Sequence, residues 1–244
     1  SPSSPADPPS GARPGRDSAP TGPSGPDARP AHPAAPPAPA PSPRLPALIN
    51  LTVPLATHLG LTGTPGVAAG FGPLDGPLAR QLTNLAAGDP RTRCCLTLTS
   101  PGGQALGHGC LPGPGALAAL GTQPVTVTIT PLARGSCDHQ LEEPRYQPSR
   151  TLRHQVEART PTCTAPGCRH PAARCDLDHT IPYDQGGRTC QCGLAPLCRH
   201  HHRCKQAEGW RLEQPQPGVM IWTTPAGRQY RTTPDAYLSN ASAK

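Results

Sequence analysis

Large apolar side chains are what this sequence holds least of. Its 244 residues include one Phe, one Met, two Trp and four Tyr, an aromatic share of 3%. That is far below the share in a well-packed globular protein and argues against one large core over the whole length. Long hydrophobic runs are missing as well. Nothing approaches the ~18–20 consecutive apolar residues that cross a bilayer, so no membrane partner is expected. No basic-then-apolar leader opens the chain either. The first residue is Ser rather than Met, which suggests a fragment, and any upstream targeting signal would lie outside this sequence. A cytoplasmic location is the expectation.

Proline and glycine fill the space instead. They number 37 and 26, together about a quarter of the chain, and 16 of the prolines fall in residues 1–46. That stretch of Pro, Ala, Ser, Gly and Asp cannot bury enough surface to offset its ordering entropy, so it reads as a disordered linker. The remaining ~200 residues suffice for one medium domain and a small one.

Cysteine and histidine are abundant, at 11 and 10, and unevenly placed. Seven cysteines (Cys163, Cys168, Cys175, Cys190, Cys192, Cys198, Cys204) and five histidines fall within residues 163–204. An odd cysteine total mixed with histidine fits a disulfide framework poorly and an intracellular metal site well. The net charge of +7 follows the same geography: residues 145–211 hold 11 Lys+Arg against five Asp+Glu. A basic, metal-type module points to a polyanion, with nucleic acid the leading candidate.

Patterning divides the rest. Alternation around Leu51, Val53 and Leu55 predicts a strand, and Leu78, Leu82 and Leu85 predict a helix over Pro77–Ala87. Cys94–Thr99 and Gln104–His108 flank Pro101-Gly102-Gly103 and read as a hairpin. The β-branched stretch Val125–Thr130 reads as another strand. Residues 47–147 thus read as a small α+β domain whose residues point to no particular chemistry. Cys94, Cys95, Cys110 and Cys137 there read as buried or incidental thiols rather than ligands, with no His or Cys partner at ligand spacing, and His154 as a surface residue. Ser149 caps a helix through Arg159, with Leu152 and Val156 inward and the arginines outward. Residues 209–244 read as a terminal β-meander and tail, with Trp210 and Trp222 packed on its hairpins.

Two pairs have structural-zinc spacing. Cys163-Thr-Ala-Pro-Gly-Cys168 is a turn-borne knuckle, bent at Pro166-Gly167 so that both thiolates face one ion. Cys198-Arg-His-His201 lies where Leu194–Lys205 reads as helical, which puts Cys198 and His201 on one face. Tetrahedral Cys3His coordination of Zn2+ would supply folding energy that a thin core lacks. Cys190, Cys192 and Cys204 remain alternative thiolates. Between the pairs lies Asp176-Leu-Asp178-His179-Thr-Ile-Pro182, then Gly186-Gly187. This arrangement suits metal-assisted phosphodiester hydrolysis. Asp178 and His202 would hold a divalent ion on the scissile phosphate, and neutral His179 would take a proton from the attacking water.

These residues, from Pro148 through Cys163-x4-Cys168, Arg174-Cys-Asp-Leu-Asp-His179 and Leu197-Cys-Arg-His-His201-His202-Arg-Cys-Lys205, resemble the HNH endonuclease family. They resemble in particular its actinobacterial members, in which the module follows a domain of unknown function 222. Leu51-Thr-Val-Pro-Leu55 and Gly66-Val-Ala-Ala-Gly70 are similar to the end of that companion domain. The resemblance implies a zinc-stabilised ββα-metal module over 148–208 within an α+β fold. It implies that His179 is the first histidine and general base, that Asp178 is a ligand of the catalytic ion, and that His202 is the last catalytic histidine. His201 then stands in for the second zinc cysteine of a common Cys-x-x-Cys-His ending. DNA would be cut with Mg2+ or Mn2+, and no small-molecule cofactor is implied. The family's middle Asn is expected just before Leu194, where this chain has Gly193. Arg174, Arg188, Arg199 and Arg203 are candidate phosphate contacts. Two rivals follow: a catalytically degenerate DNA-binding module, and a zinc-dependent interaction module with no nucleic-acid role.

Overall fold

The computed structural model describes residues 49–113 and 115–237 of the chain. The expected disordered linker over 1–46 and the end of the tail lie outside the described residues. Among the described residues, no helix is long and apolar enough to cross a membrane.

The first elements are short because Pro and Gly interrupt them. Strands β1 (Leu51–Thr52), β2 (Gly66–Ala68) and β3 (Gly72–Leu74) pair antiparallel in sequence order. The expected strand beyond Thr52 stops at Pro54, and Leu55–His58 forms the single-turn helix α1. Helix α2 (Gly76–Ala87) matches the predicted helix. The Asp75 carboxylate accepts a hydrogen bond from the Leu78 N–H at 2.8 Å, and Pro77 occupies an early position that needs no donor.

The predicted hairpin forms from β4 (Cys95–Thr99) and β5 (Ala105–Cys110), turning through Gly103 in a left-handed conformation. The next expected strand is largely absent. After the short helix α3 (Ala116–Ala119), only β6 (Thr130–Pro131) pairs with β5, at His108 and Gly107. Val125–Ile129 have strand-forming side chains but no ladder partner, and β propensity without a partner does not make a strand.

Helix α4 (Arg150–Arg159) starts where Ser149 predicts, its hydroxyl accepting from the Leu152 N–H at 3.2 Å. Leu152 and Val156 pack with Leu177 and Leu194, while Ala158 packs with Ala105 and Leu132. One helix therefore closes two small cores. The expectation of outward arginines fails at Arg159, which is 3% exposed. Its guanidinium donates to the Leu194 carbonyl at 2.9 Å and to the Gln191 carbonyl.

Strand β7 (Asp176–His179) pairs antiparallel with β8 (Leu194–Leu197), and helix α5 (Arg199–Gln206) packs against both. The single helix expected over Leu194–Lys205 is thus a strand followed by a helix. Pro196 explains the break: proline cannot donate within a helix and biases its predecessor to extended backbone. The expected meander forms as β9 (Arg211–Gln216), β10 (Val219–Thr223) and β11 (Gln229–Thr232), with β10 central. Trp222 and Met220 of β10 enter the main core beside Cys163, Ala165, Cys175, Ala195, Leu197 and Cys198. The Trp222 indole donates to the Thr164 carbonyl at 3.1 Å, and Trp210 meets its ring edge-on at 6.1 Å.

Candidate metal and active site

The knuckle Cys163–Cys168 turns through Gly167 at φ +70°, where the Cys168 N–H donates to the Ala165 carbonyl. Helix α5 opens at Cys198 and brings His201 around one turn. Cys163, Cys168, Cys198 and His201 each present a donor atom within 4.8 Å of the others. His201 Nδ1 lies 3.2 Å from Cys198 Sγ and 3.6 Å from Cys163 Sγ. The Cys163 thiol is held below its ordinary pKa, first by a hydrogen bond with Cys175 and then by backbone N–H groups, despite its burial. This quartet could hold a zinc ion, the donor set being soft, tetrahedral in number and partly ionised. Cys175, a buried core residue just before β7, is also a hydrogen-bond partner of a quartet member. Cys204 stands outside the quartet, against the exposed His200 at 3.6 Å.

Two further quartets could hold zinc, and both correct the view of the first cysteines as isolated thiols. Cys137, His139, Cys190 and Cys192 form one; Cys95, His108, Cys110 and His154 form the other. Cys110 and Cys95 face each other across the β4–β5 ladder, and His108 lies two residues from Cys110 on the same face. His154, half-buried rather than a plain surface residue, reaches them from α4, with Nδ1 3.1 Å from Cys110 Sγ. Cys95 and Cys110 are joined as a disulfide in this structure, so this quartet could hold zinc only with the two reduced to thiols. The overlooked signal was the i,i+2 pairing in His108-Gly-Cys110, Cys137-Asp-His139 and Cys190-Gln-Cys192.

The β7–β8 pair also gathers the expected catalytic residues. Asp176 and Asp178 point to one side of β7, and both reach His202 of α5. Asp176 Oδ2 lies 2.9 Å from His202 Nδ1, and Asp178 Oδ1 lies 3.2 Å from His202 Nε2. The Lys205 ammonium sits 2.5 Å from Asp178 Oδ2 and also donates to the His179 carbonyl. Asp176 and Lys205 were not anticipated in these roles.

His179 turns to the opposite side and is 6% exposed. Its Nε2 lies 2.8 Å from the buried Thr189 hydroxyl, which itself donates to the Tyr146 carbonyl at 3.4 Å. That direction makes Nε2–H the donor to Thr189 and leaves the lone pair on Nδ1. Tyr146 stacks on the ring at 5.2 Å and Tyr183 tilts against it at 5.4 Å. Burial lowers the His179 pKa, with Asp178 opposing and Lys205 adding to the shift, so the ring is neutral at neutral pH. A cleft of about 430 Å³ opens alongside, lined in part by Tyr183, Gly187, Arg188 and Thr189.

Gly193 has no room for a side chain. A Cβ there would enter the Arg188 carbonyl oxygen, and the Gly193 carbonyl accepts from Thr180 N–H at 2.9 Å. The side chain that steadies His179 therefore comes from Thr189, four residues earlier. Arg174, Arg188, Arg199 and Arg203 are all exposed. Arg188 pairs with Glu142 at 2.5 Å and Arg199 with Asp176 at 3.1 Å.

No family model matches the chain. It is 46% identical over 97 residues to the uncharacterized protein Rv3776 of Mycobacterium tuberculosis (strain ATCC 25618 / H37Rv), covering 39% of this chain and 18% of that protein. It is 44% identical over 97 residues, with the same coverage, to the uncharacterized proteins MT2160 of strain CDC 1551 / Oshkosh and Rv2100 of strain H37Rv. The matched stretch spans less than a fifth of the length of these relatives. No solved structure matches.

Proposed function

We propose that the chain carries an HNH-type endonuclease module that hydrolyses DNA phosphodiester bonds with Mg2+ or Mn2+ and is braced by a structural zinc at Cys163, Cys168, Cys198 and His201. The observation that carries this reading is the pairing of Asp178 and His202 on one side of β7, with His179, next in sequence to Asp178, on the other. His202 donates through Nδ1 to Asp176, so in its neutral form Nε2 turns a lone pair toward Asp178 Oδ1, 3.2 Å away. Two acceptors facing at that distance fit a shared cation, and a carboxylate behind the histidine is the usual support for a metal ligand. The order of strand, strand and helix in β7, β8 and α5 supports the same reading.

Asp178 and His202 would hold the divalent ion, whose positive charge would offset the charge developing on the phosphate and leaving oxygen. His179 supplies the base. Thr189 fixes its tautomer and Tyr146 its plane, so that Nδ1 is the atom that accepts the proton of the attacking water. Arg174 and Arg203 are exposed cations suited to phosphate contacts, and Arg188 and Arg199 can exchange their carboxylate partners for phosphates.

The test is nicking of supercoiled plasmid by purified protein with Mg2+ or Mn2+. Nicking is expected, and His179→Ala should lower its rate by roughly 10²–10⁴-fold, the usual worth of a general base. Gly193 favours a second reading, a catalytically degenerate DNA-binding module. That reading predicts salt-dependent DNA binding without cleavage. Gly193→Asn cannot serve as its rescue, because the Arg188 carbonyl fills the space the side chain needs. Absence of both cleavage and DNA binding would leave a zinc-dependent interaction module.

A further inference from the structure

We propose that Cys137, His139, Cys190 and Cys192 form a second zinc site, which clamps the 137–146 arm onto the 188–193 loop. A Zn2+ ion with Zn–S of about 2.3 Å and Zn–N of about 2.0–2.1 Å sets tetrahedral edges of roughly 3.8 Å between sulfurs and roughly 3.6 Å between sulfur and nitrogen. The protein shows 3.6 Å between the Cys137 and Cys190 sulfurs and 3.4 Å between Cys192 Sγ and His139 Nδ1. All four donor atoms lie within 4.8 Å of one another. The three thiols are free.

Two independent features of the surroundings fit an ion. His139 is the one non-glycine residue among the described residues with positive φ, at 59°. That conformation costs an ordinary residue of order 1 kcal/mol, so something must hold it, and here it is what sets the ring against Cys192. The second feature is charge. Arg159 is buried, and among the described residues its guanidinium meets carbonyls and a hydroxyl but no carboxylate. Burial lowers the Arg159 pKa to about 10, and the neighbouring thiols of Cys192, Cys137 and Cys190 oppose that shift. Three thiolates, one neutral imidazole and Zn2+ sum to one negative charge, which matches the single positive charge of Arg159. A buried cation needs such a partner. Zinc is the metal class because three sulfurs and one nitrogen in a closed tetrahedron leave no open position for chemistry.

The site joins two segments that also meet through the Arg188–Glu142 ion pair and the hydrogen bond from Thr189 to the Tyr146 carbonyl. Glu143 N–H donates to the Thr189 carbonyl at 2.9 Å, and Gln191, between two of the ligands, bonds Ala133 N–H and Gln155. An ion at this point would fix Tyr146 and Thr189, the two residues that hold His179. The zinc assignment itself does not depend on nuclease activity.

Zinc content per full chain, counted by native mass spectrometry, tests the site. Cys137→Ser with His139→Ala should lower the parent's count by about one, and Cys198→Ser with His201→Ala should separately lower it by about one. A Cys137→Ser/His139→Ala variant with the parent's count overturns the assignment. Thiol alkylation of the unaltered protein guards against loss of folding in the variant. Cys137 and Cys192 are only half-buried, as is Cys204, which belongs to no quartet. Cys204 should react at once, while Cys137 and Cys192 should react only after a chelator is added. Reaction of all three at the same rate without chelator overturns the assignment by the other route.

Discussion

Residues 49–147 and residues 148–237 obtain their order in different ways. In the first region the buried apolar residues are Ala68, Ala79, Ala105, Leu111, Leu117 and Leu132. Ala105 and Leu132 complete their cluster only with Ala158 of α4. Larger side chains such as Leu61 and Phe71 are about three-quarters exposed. In the second region Trp222, Met220, Leu194, Leu197 and Val156 are fully buried, and three of the quartet sulfurs line the core of Trp222, Met220 and Leu197. A small core is therefore organised around donor atoms that also pack as hydrophobes. The comparison teaches that the front region leans on α4, while the back region is held by burial around donor atoms that could also hold a zinc ion.

The largest expected break comes from the quartet at Cys163. Cys198→Ser, or chelation, should release zinc and melt the second region. The measurements are metal content and the loss of near-UV circular dichroism from Trp210 and Trp222. Structural zinc contributes apparent binding energies of about 10–16 kcal/mol in zinc-finger peptides, more than most domains have to lose. A smaller break should follow from Trp222→Ala, which removes the largest fully buried side chain and leaves the Thr164 carbonyl with one donor fewer. We expect a loss of about 3–5 kcal/mol in urea unfolding. The smallest effect should come from the front region: Phe71→Ser, at a 74% exposed position, should change stability by less than about 0.5 kcal/mol. A loss above 2 kcal/mol there would show that the front region is held by burial after all.

Local chemistry was legible in the sequence and long-range pairing was not. Ser149 and Pro101-Gly102-Gly103 act within a few residues of themselves, so the start of α4 and the β4–β5 turn follow from the sequence directly. The quartet at Cys163 was readable for the same reason, each half being a local pair. Val125–Ile129 were misread because strand formation depends on a partner elsewhere in the chain. The other quartets were hidden for a related reason: their halves lie some 40–50 residues apart, as His154 does from Cys110 and Cys190 from Cys137. Arg159 was misassigned because its partners are carbonyls, which sequence patterns do not mark. Thr189 carries no motif at all; only the fold places its hydroxyl against His179.

Lys205 has a consequence of its own. Of the two lysines in the chain it is the one among the described residues, and its ammonium already sits on Asp178. If Asp178 holds the divalent ion proposed above, that ion would be bound in exchange for the tethered ammonium of Lys205. The affinity measured would then be the difference between the two cations at one carboxylate. Lysine suits such an exchange better than arginine, because a single point charge on a flexible stem can withdraw without breaking a bidentate clamp.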